Sequence, residues 1–333
     1  MSQNTKVIGI EFDEPLSEIN GKLEELDSVI ASIVEKKQAE PLMGRLQQLK
    51  SRYEHLLRDR YAHLTAWQKV LIARHPNRPG TRDYLTYMFE EFIPLYGDRC
   101  FKEDKSMDCG LARIGRYYVL VVGHNKGKTT PERIECKFGM AHPEGYRKAL
   151  LKMKLAEKLN LPIITLINTP GANPDIEAEE RGQSQAIAQN LFEMSRLRVP
   201  IICVVIGEGG SGGALGIGVG DRLLMMEHSY YSVISPEGCA AILWKSDSDE
   251  HKMQAANALK LKSSDLKALG VIDRIVPEPA GGAHRNHQEM YTTFKATLIE
   301  EIKSLLPLSK SELLEKRYDK IRNYGYLHLW KNN

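Results

Sequence analysis

The chain has 333 residues, 42% hydrophobic and 27% charged, ordinary proportions for a water-soluble globular protein with room for a substantial core. Its 46 Lys and Arg stand against 43 Asp and Glu, a net charge of +3 with the signs interspersed, so charge alone implies no polyanionic partner and nucleic-acid binding gains no support. It shows no basic-then-apolar leader and no apolar run near the ~18 residues of a membrane span, which points to a cytoplasmic protein.

In chain order, Asp13 with Pro15 marks a helix start. Leu16, Ile19, Leu23, Leu26, Ile30 and Ile33 then recur at spacings of three and four. Pro41 is expected to interrupt, after which Leu42, Leu46, Leu49, Tyr53 and Leu56 repeat the stripe. Residues 1–63 therefore read as a helical hairpin whose work is packing. Residues 64–108 read as a linking segment packed on the core, punctuated by His75-Pro76 and Arg78-Pro79-Gly80. A helix is expected from about Thr81 to Phe92, with Tyr84, Leu85, Met88, Phe89 and Phe92 as its apolar face. His75, held just before a proline, reads as a structural loop histidine.

The main domain spans 109–287. It begins with two short strands joined at Ile114-Gly115-Arg116, the second ending in Gly123-His124-Asn125-Lys126-Gly127-Lys128. This resembles a phosphate-binding loop, but three residues separate Gly123 from Gly127-Lys128 where four are required. Lys126, Lys128, Arg133 and Lys137 either steer an anionic ligand or form a solvated loop. A helix from Pro143 to about Asn160 follows, then a strand, Ile163 to Ile167, ending in the Pro- and Gly-rich loop Asn168 to Pro174. A helix over about Glu179 to Leu197 leads into the strand Ile201 to Ile206, a glycine cluster and a small-residue helix. Strands at Arg222 to Met226 and Tyr230 to Ile234 precede Ser235-Pro236-Glu237-Gly238 and a helix. Residues 252–270 read as helical, with a restart at Lys262 to Asp265, and a last strand covers Val271 to Val276. After a loop from Pro277 to His287, residues 288–333 form a tail with an amphipathic helix pair to about Tyr324. Alternating strands and helices imply a parallel sheet whose strands empty into loops at one end, where ligands bind.

Cys100, Cys109, Cys136, Cys203 and Cys239 lie far apart with no C-x-x-C pair, so reduced, structural thiols are expected and neither a disulfide framework nor a metal site of this chain alone. The glycine cluster fits several patterns. Gly207, Gly209 and Gly212 match G-x-G-x-x-G; Gly209, Ser211 and Gly213 match the G-x-S-x-G nucleophile elbow. A close helix–strand crossing without a ligand fits equally, although N–H groups at a helix start favour bound negative charge.

Longer motifs resolve this. Phe138-Gly139-Met140, Pro143 to Leu150 (PEGYRKAL), Thr169-Pro170-Gly171-Ala172, Ala178 to Ser184 (AEERGQS), Ile206 to Ala214 (IGEGGSGGA), Tyr231 to Gly238 (YSVISPEG) and Pro279 to His284 are in order along the chain. Together they resemble the alpha subunit of the carboxyltransferase of bacterial-type acetyl-CoA carboxylase, over nearly the whole sequence. The resemblance implies a crotonase-like (ClpP/crotonase) α/β spiral of ββα units with an N-terminal helical extension and C-terminal helices. It implies transfer of a carboxyl group from carboxybiotin, borne on the biotin carboxyl carrier protein and charged by biotin carboxylase, to acetyl-CoA, giving malonyl-CoA in the first committed step of fatty acid synthesis. A beta subunit, in an α2β2 assembly, is implied to complete the site and to hold the zinc. Charge developing on a biotin or thioester oxygen calls for fixed backbone donors. On the resemblance, Gly209, Gly210, Gly212 and Gly213 form that oxyanion-hole segment, with either Gly-Gly step as the donor. Thr169, Pro170, Gly171 and Ala172 form an adjacent wall and Pro236, Glu237 and Gly238 a third, Glu237 serving either the site or only its helix dipole. Asn168 stands where the family commonly has aspartate, and Asn173-Pro174-Asp175 where an aromatic-Pro-Gly is common, which leaves a charge missing beside the pocket and the turn restricted. Two competing readings remain: a serine hydrolase using Ser211 with His228, His251 or His284, and an RNA-binding regulatory scaffold built on the helical ends and the lysine loop.

Overall fold

The computed structural model describes residues 14–32 and 36–325. Its helices are α1 (Glu14–Ser32), α2 (Lys36–Ala62), α3 (Ala66–Ala73), α4 (Thr81–Met88), α5 (Thr130–Glu135), α6 (Pro143–Lys158) and α7 (Ile176–Glu180). They continue as α8 (Gln183–Met194), α9 (Ser211–Leu215), α10 (Pro236–Trp244), α11 (Asp249–Ala258), α12 (Ser263–Ala268), α13 (His287–Leu305) and α14 (Lys310–Arg322). The strands are β1 (Glu91–Pro94), β2 (Met107–Ile114), β3 (Tyr117–His124), β4 (Ile163–Thr169), β5 (Ile201–Gly210), β6 (Arg222–Met226), β7 (Tyr230–Ser232) and β8 (Arg274–Val276). They form one sheet in the order β1-β2-β3-β4-β5-β6-β8, with β7 on β5. The β1–β2–β3 portion is antiparallel and every later pairing is parallel.

Continuous apolar sequence makes β4 and β5 suitable for burial on both faces, and every residue of both strands is buried. Alternate side chains divide between two cores. Ile163, Ile167, Ile201, Cys203 and Val205 join Val70 of α3, Tyr146 and Met153 of α6 and Met194 of α8. Ile164, Leu166, Ile202, Val204 and Ile206 join Tyr84 of α4 and Phe294, Leu298 and Ile302 of α13. The strand therefore reads as a two-sided wedge between helical layers.

Several boundaries differ from the sequence expectation, each for a local reason. Pro41 does not interrupt α2; it sits in the second turn, where it removes a hydrogen bond near the helix start and not in its middle. Asp13 and Ile33 lie outside the described residues. The helix expected to reach Phe92 stops at Met88, because Glu91–Pro94 pairs with β2 and lays the Phe92 ring over Gly110, a position with no room for a Cβ. The helix expected over Glu179 to Leu197 is split at Gly182, whose φ of +82° ends α7 and turns the chain into α8. The lysine loop contains α5, capped reciprocally by Thr129 and Glu132. All five cysteines are free and four are buried. Among the described residues no helix is long and apolar enough to cross a membrane, and no group of three or more His, Cys, Asp or Glu is placed to hold a metal.

The C-terminal helix is fastened by one fully buried cation. Arg317 of α14 donates to both oxygens of Asp221 at 2.8 Å and to the carbonyls of Met194, Leu197 and Val199 at 2.8, 2.7 and 3.0 Å. Asp221 in turn accepts the Ile201 N–H at 2.7 Å, so the same pair fixes the start of β5. Replacing Arg317 by Met leaves Asp221 and three carbonyls buried without their donor. We expect a loss of about 3–5 kcal/mol, read as a lower urea midpoint; an unchanged midpoint would show that the helix is held by its apolar contacts alone.

Buried neutral histidines set the acid limit. Burial holds His124 down to about 3 and His284, its ring tilted against that of His75 with centroids 4.2 Å apart, down to about 2, against 6.5 for the free side chain. Unfolded chains take up these protons below pH ~6.5 while the folded chain does not, so the stabilisation is complete above that pH and is lost as pH falls. Each such histidine contributes a slope of up to about 1.4 kcal/mol per pH unit. Urea titrations between about pH 7 and 5 are expected to show a steep loss of stability that His284→Gln makes shallower.

Candidate active site

The neighbouring ends of β4 and β5 carry the glycine cluster. Their register runs Ile163↔Ile201 to Ile167↔Val205, then resumes at Thr169↔Gly209, so Asn168 alone faces three residues of β5. Its Oδ1 accepts the Glu208 N–H at 3.1 Å, and its own N–H donates to His124 Nδ1 at 3.3 Å. The acceptor that the bulge requires is thus present, whether amide or carboxylate. Asp175 caps α7 by accepting the Ala178 N–H at 2.8 Å and has an extended φ of −74°, so a non-glycine there does not strain the turn. Asn173 supports the same turn through the Asp175 N–H at 2.9 Å.

After the bulge the chain turns from β5 into α9. A Cβ on Gly209 would lie 2.6 Å from the Tyr231 ring; on Gly210 or Gly213 it would overlap the backbone of Pro170 or of Gly171 and Ala172. Those three glycines serve close packing of the turn against the Thr169–Ala172 wall. Gly212 differs, its nearest neighbour being Ile187 at 3.7 Å, and a Cβ on Gly171 would meet nothing within 4 Å. The Thr169 hydroxyl accepts the Gly171 N–H at 3.1 Å and donates to the Gly171 carbonyl at 2.6 Å, fixing the wall. No side chain caps α9 among the described residues, leaving the N–H groups of its first turn, at Ser211, Gly212 and Gly213, without a side-chain acceptor.

A residue acting as a small spacer between helix and strand would be buried at their crossing, and Ser211 is not. It is instead exposed with φ +52°, and Gly210 and Gly213 make the close approach. The three histidines considered as its base are engaged elsewhere: His251 with Ser248 Oγ at 2.9 Å, His284 against the His75 ring, His228 edge-on to Tyr61 at 5.5 Å. No histidine among the described residues hydrogen-bonds to Ser211, so the turn lacks a nucleophile–base pair.

On the opposite edge of β5, Glu208–Gly210 pairs with β7, and the chain then enters α10 through Ser235, which caps it by accepting the Gly238 N–H at 3.1 Å. Pro236 is buried, while Glu237 is half-buried. Glu237 is ion-paired to Arg74, a residue the sequence reading passed over. Arg74 also donates through Nε to Glu208 at 2.6 Å and through Nη2 to the Tyr230 hydroxyl at 3.0 Å; Tyr230 donates to Glu208 at 2.7 Å. Burial raises the Glu237 carboxyl, but the Arg74 hydrogen bond and charge outweigh it and hold it below the usual range. The lysine loop is not solvated throughout: Lys126 is paired with Glu208 and Lys128 with Asp83. A cavity of about 830 Å³ lies beside this cluster, bordered by Arg74, Lys126, Arg133, Phe138, Asn168, Pro170 and Glu208.

Residues 9–325 match the family described as acetyl co-enzyme A carboxylase carboxyltransferase-like. The acetyl-coenzyme A carboxylase carboxyl transferase subunit alpha of Rhodopirellula baltica is 51% identical over 327 residues, spanning 95% of this chain and 97% of its own. That of Chlorobium phaeovibrioides is 52% identical over 330 residues, spanning 96% and 98%. Among solved structures, transcarboxylase 12S superimposes with a TM-score of 0.56 at 16% identity, over 69% of this chain and 42% of that one. A Pseudomonas malonate decarboxylase hetero-dimer gives 0.53 at 16% identity, over 65% of this chain and 88% of that one. The architecture is the crotonase-like spiral on which such carboxyl-handling enzymes are built. The chain belongs to the family of acetyl-CoA carboxylase carboxyltransferase alpha subunits, components of a transferase.

The different surroundings of the glycines lead to a direct test. Gly210→Ala is expected to lower the thermal midpoint, because its methyl overlaps the Pro170 carbonyl. Gly212→Ala is expected to keep or raise it, since the space is open and alanine favours a helix by about 1 kcal/mol. Equal melting of the two variants would sink this assignment.

Proposed function

We propose that the turn from β5 into α9 is the anion-stabilising half of the carboxyl-transfer site, with Gly212 and Gly213 as the donor step. The observation that carries this is the uncapped start of α9 at an open glycine, beside the open Gly171. These groups suit a planar, oxygen-bearing ring brought in on a carrier protein: a Cβ at either open position would narrow the approach. Carboxybiotin, when bound, supplies the carboxyl group and afterwards a nitrogen able to take the acetyl methyl proton. Gly212 and Gly213 N–H groups are oriented in advance, so they stabilise charge on an oxygen without moving a proton themselves. Gly209, Gly210, Thr169 and Pro170 hold the turn against its wall, and Ala172 and the Pro236–Gly238 segment bound it. The acceptor is acetyl-CoA and the product malonyl-CoA.

The remaining parts belong to partners. We assign the acetyl-CoA side and the zinc to a beta subunit, in an α2β2 assembly served by the biotin carboxyl carrier protein and biotin carboxylase in the cytoplasm. Val233, Ile242 and Leu243 are 75, 70 and 65% exposed around the Pro236–Gly238 segment, an apolar surface of the kind a permanent partner covers. That the malonate decarboxylase neighbour is a hetero-dimer supports a two-subunit assembly here as well.

Carboxyl transfer from malonyl-CoA to biocytin is expected only after the chain is mixed with its beta subunit. Full activity of the isolated chain, or none in the mixture, would overturn the proposal.

A further inference from the structure

We propose that Arg74 is a positioning residue for carboxyl transfer, locking the glycine turn of β5 to the first turn of α10; this rests on the function proposed above. Arg74 closes α3, in a segment outside the motifs that carry the family resemblance, yet its guanidinium reaches both elements. Nε holds Glu208, the residue immediately before Gly209-Gly210, at 2.6 Å. Nη1 and Nη2 hold Glu237, the second residue of α10, and Nη2 also holds the Tyr230 hydroxyl at 3.0 Å, with the guanidinium 5.5 Å over the Tyr230 ring. Tyr230 and Lys126 complete the set of donors on Glu208. Glu208 is 4% exposed, so its carboxylate takes the position its donors dictate.

The planar fork matters because it engages two carboxylates and a phenol from three chain segments at once. A lysine ammonium can reach one of them but cannot hold all three in a fixed plane. Arg74 therefore couples where Gly209–Gly213 sits to where Pro236–Gly238 sits, although it touches neither glycine step. A shift of about 1 Å in a pre-oriented donor pair is enough to cost on the order of 10²-fold in rate.

The test uses the chain with its beta subunit and carboxyl transfer from malonyl-CoA to biocytin. Arg74→Ala is expected to lower kcat on the order of 10²-fold while leaving KM for malonyl-CoA unchanged, the pattern of lost transition-state alignment and not of lost substrate binding. Arg74→Lys is expected to recover only a small part of kcat. Amide exchange of the isolated chain supplies a readout independent of turnover: in Arg74→Ala, residues 207–214 and 230–239 should exchange faster together, with α13 unchanged. Wild-type kcat in Arg74→Ala, full rescue by lysine, or faster exchange confined to residues 66–80 would each overturn the role. If the wild-type mixture gives no transfer, the proposed function fails, while the exchange pattern still decides whether Arg74 couples the two segments.

Discussion

The structure depends on the three-way pairing of β5. Its first half lies between β4 and β6, and its last three residues leave β6 and pair with β7 while Thr169 of β4 follows across the bulge. A strand enclosed in this way is buried for its full length, which accounts both for its apolar start and for glycines where other backbone closes in. The same enclosure makes Glu208 expensive, since a buried carboxylate without donors costs several kcal/mol. Arg74, Tyr230 and Lys126 offset that cost. Packing and charge placement around the turn are therefore one problem with one solution.

The order of elements was legible from the sequence wherever apolar periodicity was strong, as in β3 to β6 and α6. Boundaries failed where a single contact overruled the pattern: Phe92 was counted on a helical face but is drawn into an edge strand opposite Ala112, and Gly182 divides a helix whose side chains would suit one piece. The glycine cluster was recognisable, but its division of labour was not. Whether a glycine meets a carbonyl, a ring or open space is a property of segments far away in sequence, and no spacing rule carries it. Arg74 escaped notice for the same reason. Its acceptors lie 134 to 163 residues further along the chain, and a lone arginine at a helix end reads as a surface residue.

The motifs that carry the family resemblance turn out to do much structural work. In PEGYRKAL, Glu144 pairs with Arg181 of the AEERGQS motif, Arg147 pairs with Asp98, and buried Lys148 holds Glu103 and the carbonyls of Asp104 and Met107. Gln183 donates to the Ala141 carbonyl at 2.7 Å. These ties bind α6, α7 and the segment before β2 into a frame behind the Thr169–Ala172 wall. The frame backs that wall, while half-buried Gly171 and Gly212 leave room in front of it.

Arg317 has a further consequence for how the chain comes off the ribosome. The carbonyls of Met194, Leu197 and Val199 and the carboxylate of Asp221 are made long before their common donor, which belongs to the last described helix. During synthesis the corner between α8 and β5 must remain hydrated, because closing it early would bury acceptors with nothing to satisfy them. Sealing of this corner thus waits on α14, and a chain cut before that helix leaves these acceptors to water.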